Sequence, residues 1–160
     1  VVTARAASAW KALERVEDPE IPALSIVDLG IVRFAEERAD GVLGIGISPT
    51  YTGCPATEHI ESKVRESLEA AGLTPFALTR VLRPAWSSDW ITAEGRRKLA
   101  EYGIVPPAPA ASAGQRTAPI ACPRCGSVNT ECTSEFGSTP CKSLHRCRDC
   151  LEPFESFKCL

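Results

Sequence analysis

Cysteine offers the most chemistry in this 160-residue chain, and seven of its eight copies lie beyond residue 120. Four of them form two C-x-x-C pairs, Cys122-Pro-Arg-Cys125 and Cys147-Arg-Asp-Cys150, with 21 residues between the pairs. A thiolate pair at this spacing can grip one side of a tetrahedral metal while the chain turns back on itself, and a second pair completes the shell. Pro123 and Gly126 suit the tight turn that presents the first two sulfurs. A filled four-sulfur shell leaves no open position for a substrate, so the tail reads as a structural metal ribbon. Structural zinc is the simplest occupant, and an iron–sulfur cluster, which uses the same thiolates, is its rival. Cys132, Cys141 and Cys159 are spare sulfur that a zinc site does not need. His145 could stand in for a thiolate, but two residues before Cys147 it suits a strand face better.

The eighth cysteine, Cys54, stands apart, between a strand-like run and a helix-like one, with Pro55 suited to the first helical position. Unpaired N–H groups and the positive end of the helix dipole favour a thiolate there, the form that attacks electrophiles and binds metals. The plainer reading is a small buried hydrophobe. The polar approach Tyr51-Thr52-Gly53 favours a functional thiol instead. Glu58 lies one turn on and His59 is rotated away, so both suit a solvated helix face rather than a base for Cys54. Asp18, Glu20 and Asp28 cluster in one loop region, where turn and cap duties explain them at least as well as acid–base work. Trp86 and Trp90 bracket Ser87-Ser88-Asp89 and suit equally a partner-docking patch or a cover over the core.

The elements needed to position these groups follow from periodicity. Trp10, Leu13 and Val16 mark an amphipathic helix that Asp18-Pro19-Glu20-Ile21-Pro22 must end. Ile26 to Val32 leads into an apolar strand, and Asp40-Gly41 turns it into the run 42–47. A second helix spans Ala56 to Ala71 with Ile60, Val64 and Leu68 on one face and Gly72 as its C-cap. A third strand covers 77–82, and Thr92 caps a last helix running through Tyr102 to Gly103. The order α-β-β-α-β-α predicts an α+β fold, a small sheet with helices packed on one face, followed by a C-terminal four-cysteine ribbon. Residues 106–119, rich in Pro, Ala, Ser and Gly, read as a linker between a first domain (1–105) and a tail (120–160).

Charge argues against nucleic acid. Residues 1–105 carry a net −3 and residues 106–160 a net +1, with no basic stripe to follow a phosphate backbone. No apolar run approaches a bilayer span, so no membrane association is expected. No apolar signal segment opens the chain, and C-x-x-C pairs favour metal over disulfides, so a cytoplasmic location is expected.

Asp18-Pro19-Glu20-Ile21-Pro22, Ser25-Ile26-Val27-Asp28-Leu29-Gly30-Ile31-Val32 and Thr50-Tyr51-Thr52-Gly53-Cys54-Pro55-Ala56 resemble the iron–sulfur cluster assembly factors that include SufT. The tail segments Ser134-Glu135-Phe136-Gly137-Ser138-Thr139-Pro140-Cys141-Lys142, Glu152-Pro153-Phe154 and Phe157-Lys158-Cys159 resemble one branch, the D proteins of the phenylacetyl-CoA epoxidase system of aerobic phenylacetate degradation. Pro140 and His145 are small departures from that branch pattern. The resemblance implies a non-catalytic accessory or maturation protein that assists assembly or transfer of an iron–sulfur cluster to the flavin-containing reductase component. The family's reactive cysteine falls on Cys54, with Asp28 nearby, and a transient cluster there would make a homodimer contact possible. Cys141 and Cys159 match the branch and are candidate additional ligands, whereas Cys132 lies outside the pattern. Two alternatives remain: a structural epoxidase subunit, and a zinc-ribbon regulator that binds nucleic acid. An epoxidase active site is not expected, because no Glu-x-x-His diiron pattern is present.

Overall fold

The computed structural model describes residues 3–109 and 119–160. Thr3 caps the first helix, α1 (Ala4–Leu13), by accepting the Ala6 N–H. Its buried face is made of Ala6, Ala9, Ala12 and Leu13, so the helix sits close to its neighbours, while Trp10 is only half-buried. The helix ends a turn before Val16, whose side chain is buried from the following turn. Arg5 anchors the start of α1 by donating to the carbonyls of Gly41, Leu73 and Pro75 at 2.6, 3.2 and 2.9 Å.

The first strand, β1 (Val32–Glu37), begins later than the apolar run implies. Residues 26–31 form turns whose Ile26, Leu29 and Ile31 are buried core residues. A glycine with φ +66°, Gly30, breaks the extended run. β1 pairs antiparallel with β2 (Leu43–Ile47) through the expected Asp40-Gly41 turn. After α2 (Ala56–Ala70), β3 (Phe76–Arg80) pairs parallel with β2, giving a three-stranded sheet of order β1-β2-β3. β2 is buried throughout: Leu43, Ile45 and Ile47 alternate with Gly44 and Gly46, over which the Arg38 and Phe34 side chains lie. The C-cap of α2 is Ala71, one residue before the expected Gly72, which follows it at φ +69° and ends the helix in a left-handed turn.

Trp86 and Trp90 cover the core. Trp86 is buried and donates Nε1–H to the Leu29 carbonyl at 2.9 Å, and Trp90 packs directly on Gly30 with the Arg33 guanidinium 3.4 Å above its ring. A short 3-10 turn (Ser88–Trp90) precedes α3 (Ala93–Glu101), which Thr92 caps by accepting the Gly95 N–H.

The chain divides into two compact units, and the boundary in the last helix falls between Gly95 and Arg96 rather than at residue 105. The reason is β4 (Ile104–Val105), a two-residue strand that pairs parallel with β7 (Pro153–Phe157). The second unit is thus a four-stranded sheet of order β4-β7-β6-β5, with β5 at Thr130–Ser134 and β6 at Lys142–Cys147. Among the described residues of this unit, Cys122, Cys147 and Phe154 form one buried cluster, with Val105, Ile120 and Cys150 packed against it, and Leu99, Ile104, Cys141 and Phe157 are buried as well. Residues 106–109 and 119 of the expected linker have no regular structure, and 110–118 lie outside the described residues.

Candidate functional site

Two groups of residues carry chemistry, one in each unit. In the first, β2 ends at Ile47 and the chain reaches α2 through residues 48–55, at the carboxyl end of a parallel strand pair. Ligands of open α/β sheets bind at this end. Gly53 at φ +80° and a hydrogen bond from Cys54 N–H to the Tyr51 carbonyl (3.2 Å) turn the loop, and Pro55 occupies the N-cap position, one residue before the expected one. Proline offers no side-chain cap, so the first amides of α2 are not closed off by the cap residue. Cys54 is half-exposed. Ser48, at the start of the same loop, is 1% exposed, and its buried Oγ has no hydrogen-bond partner among the described residues.

Asp18 and Asp28 shape the neighbouring loop. Asp18 accepts the Glu20 and Ile21 N–H groups at 2.9 and 2.8 Å, while Asp28 accepts the Ser25 N–H and the Ser25 hydroxyl accepts the Asp28 N–H, both at 3.0 Å. The turn and cap duties expected of these acids are therefore present. The Ile31 carbonyl accepts the Ser48 N–H at 2.8 Å, tying the Asp28 segment to the first residue of the Cys54 loop. Glu58 and His59 are exposed on α2. His59 and Lys63 line an open groove of about 450 Å³ with Arg15, Glu17, Asp18 and Glu66.

In the second unit, the sulfurs of Cys122, Cys125, Cys147 and Cys150 all lie within 4.8 Å of one another. Cys122 Sγ is 3.6 Å from Cys150 Sγ, and Cys125 Sγ is 3.6 Å from Cys147 Sγ. A tetrahedron of thiolates around one zinc ion has sulfur–sulfur edges of about 3.8 Å, given a metal–sulfur distance of about 2.3 Å. The donor set thus fits a single tetrahedral ion, and a polynuclear cluster, with several irons and sulfides between the thiolates, would need them wider apart.

Backbone amides surround these sulfurs. The Cys150 and Asp149 N–H groups point at Cys147, the Ser127 N–H at Cys125 and the Glu152 N–H at Cys150. The Cys150 amide is the main reason the Cys147 thiol falls to about 7. At Cys125 the Ser127 amide draws the pKa down, but hydrogen bonding with Cys150, burial, and the Cys147 and Cys122 thiols outweigh it and push the thiol up to about 12. Four adjoining thiols cannot all ionise without a cation between them, so metal loading must release protons. Arg124, inside the first pair, is held charged by Glu152 at 2.8 Å and by the nearby Cys150 and Cys122 sulfurs.

Cys141 and Cys159 lie outside this set. Cys141 precedes β6 and Cys147 ends it, a separation of about 20 Å at the rise of an extended strand. Cys141 is buried beside the Thr139 hydroxyl, and Cys159 donates to the Ala108 carbonyl at 2.9 Å. Cys132 is exposed. His145 lies on β6 as expected, stacked on Phe154 and bonded to the Ser143 hydroxyl at 2.8 Å, and burial lowers its pKa. Sequence reasoning missed the buried Lys142, whose ammonium lies 3.1 Å from the Glu155 carboxylate.

Over 151 residues, 94% of this chain and 91% of the relative, the chain is 48% identical to a protein of Escherichia coli K12 provisionally named as the D component of 1,2-phenylacetyl-CoA epoxidase. The chain belongs to the PaaD family. Residues 106–158 match the family described as the PaaD zinc beta ribbon domain, and residues 7–73 match the family described as iron–sulfur cluster assembly protein. This PaaD-family chain is also 31% identical, over 54% of its length and 83% of the relative, to an Fe-S protein maturation auxiliary factor of Porphyromonas gingivalis. A crystal structure of a DUF59 domain of unknown function from Bacillus anthracis is similar with a TM-score of 0.55 and 26% identity, covering 60% of this chain and 92% of that one. Both the α+β fold and the four-cysteine ribbon expected from sequence are present. Among the described residues, no helix is long and apolar enough to cross a membrane.

Proposed function

We propose that this PaaD-family chain is a non-catalytic accessory protein of the phenylacetyl-CoA epoxidase system, and that it handles an iron–sulfur cluster through Cys54 on the way to the reductase component. One observation carries the reading. The half-exposed Cys54 sits on the loop between β2 and α2, inside the residues that match iron–sulfur cluster assembly proteins. The tail, in contrast, holds four thiolates at the separations of a closed one-metal shell, and zinc is the ion that suits it. Zinc there would link the two C-x-x-C pairs and stabilise the second unit's core.

The chemistry required of the first unit is ligand exchange. Cys54, as a thiolate, forms one bond to iron of the cargo, and that bond breaks when a thiolate of the acceptor replaces it; no electron need move. Cys54 immediately precedes Pro55, the N-cap residue of α2. Asp18 and Asp28 hold the adjoining loop through their backbone hydrogen bonds. One cysteine cannot complete a cluster's shell, so the remaining ligands come from the acceptor or from a second copy of the chain. On this reading the two units divide the work: the first carries the cluster on Cys54 and the second holds the metal, in the cytoplasm.

The test is Cys54→Ser in cells that contain the whole epoxidase system, with the [2Fe–2S] content of the purified reductase as readout. A loss of cluster occupancy at an unchanged reductase level is expected. Full occupancy in the variant would refute the transfer role.

A further inference from the structure

Asp149 stands inside the second C-x-x-C pair, and Ser127 follows the first pair by two residues. Their backbone amides point at Cys147 and Cys125, the two sulfurs that face each other across the pairs at 3.6 Å. Their side chains meet as well, the Ser127 hydroxyl donating to Asp149 Oδ2. Asp149 Oδ1 accepts from Asn129 Nδ2 at 2.7 Å, and the Asn129 carbonyl accepts the neighbouring Arg148 N–H at 2.8 Å. One carboxylate thus holds two donors from the segment after the first pair while its own amide holds a sulfur of the second pair.

We propose that Asp149 is a positioning residue for the metal, a clamp that fixes the separation of the two thiolate pairs and so slows metal release. The proposal rests on the reading of the four cysteines as a one-metal site, and it adds a residue outside the ligand set. Ligands in metal sites are oriented by hydrogen-bonded partners beyond the coordination shell, whose loss typically costs about 10- to 100-fold in affinity. Asp149 bears no bond to the metal in this arrangement, so the ligand count stays at four thiolates without it. Ser127 and Asp149 form one device, so their effects should not add.

The experiment uses the full chain loaded with zinc, and measures transfer of the ion to a chromophoric chelator for the wild type, Asp149→Ala, Asp149→Asn, Ser127→Ala and the Ser127→Ala/Asp149→Ala pair. Release faster by about 10-fold, the low end for lost outer partners because the carboxylate acts one step removed from the sulfurs, is expected for Asp149→Ala, with a smaller change for Asp149→Asn, which keeps one oxygen acceptor. The double variant should match Asp149→Ala. Cobalt-loaded Asp149→Ala should keep the wild-type absorption of a tetrahedral four-thiolate centre, a signature that loss of a ligand would change. Release within twofold of wild type in both Asp149 variants, or an altered cobalt spectrum, would overturn the clamp. A wild-type chain that takes up no stoichiometric zinc would instead sink the one-metal reading beneath it.

Discussion

Gly30 and Gly41 both adopt left-handed backbone conformations, φ +66° and +79°, but their surroundings differ completely. A methyl group on Gly41 would meet nothing within 4 Å, whereas on Gly30 it would lie 2.4 Å from the Trp90 carbonyl oxygen and 2.7 Å from the Trp90 Cβ. Gly41→Ala therefore incurs only the conformational cost of an L-residue in the left-handed region, about 1 kcal/mol. Gly30→Ala incurs that cost and must also displace backbone, which adds about 2 kcal/mol. For a unit of this size, about 1 kcal/mol shifts the melting temperature by about 5 °C, so losses of about 5 and about 15 °C are expected. Differential scanning calorimetry of both variants beside the wild type measures the contrast. Gly30 also belongs to the turn that carries Asp28 and feeds Ile31, whose carbonyl holds Ser48 at the start of the Cys54 loop. Hydrogen exchange of the Ser48 amide should accordingly rise in Gly30→Ala and stay unchanged in Gly41→Ala. Equal melting losses in the two variants would refute the close approach of Trp90 as the reason for glycine at position 30.

Two further outcomes are expected of the second unit. Stripping the metal with a chelator under reducing conditions should abolish protection of the β5, β6 and β7 amides, because binding free energies of roughly 10–16 kcal/mol in small zinc domains match or exceed the whole stability of a small domain; hydrogen exchange on the chelated chain checks this, and preserved protection would contradict it. At the Lys142–Glu155 pair, burial pushes the Glu155 carboxyl up, but the Ser138 backbone N–H and Lys142 outweigh it and hold the carboxyl below its ordinary value. The folded value being the lower one, the pair's contribution is complete above about pH 4.3 and is lost as pH falls through the folded value. Glu155→Gln, which removes the charge facing a buried ammonium, should cost about 2 kcal/mol at pH 7, the scale of a charged hydrogen bond, and denaturant titrations should show its deficit shrinking below about pH 4. A deficit independent of pH would count against the ion pair.

Local signals in the sequence are enough for the helices, the hairpin and the clustering of four cysteines. Thr92 caps where residue type says it should, Gly72 ends α2 one residue past its cap, and the C-x-x-C spacing alone picks out the four sulfurs that the structure brings together. Pairings between distant segments are not legible. Nothing in Ile104-Val105 announces a strand whose partner lies some fifty residues on, so composition carries the first domain past the point where the second sheet begins. The apolar spacing of Ile26, Leu29 and Ile31 imitates a strand, although these side chains enter the core from turns. Asp149 and Lys142 look like ordinary surface charges until the neighbours that hold them are known.

The two residues of β4 have a consequence for any attempt to use the tail by itself. β7 is an interior strand only because Ile104 and Val105 cover it. A fragment beginning at residue 106 or 120, the natural cut by composition, would leave a bare row of backbone donors and acceptors ready to recruit another molecule edge to edge. Self-association of such a fragment would then report a severed strand rather than a native dimer. Fragments meant to isolate the tail's chemistry should begin upstream of Ile104.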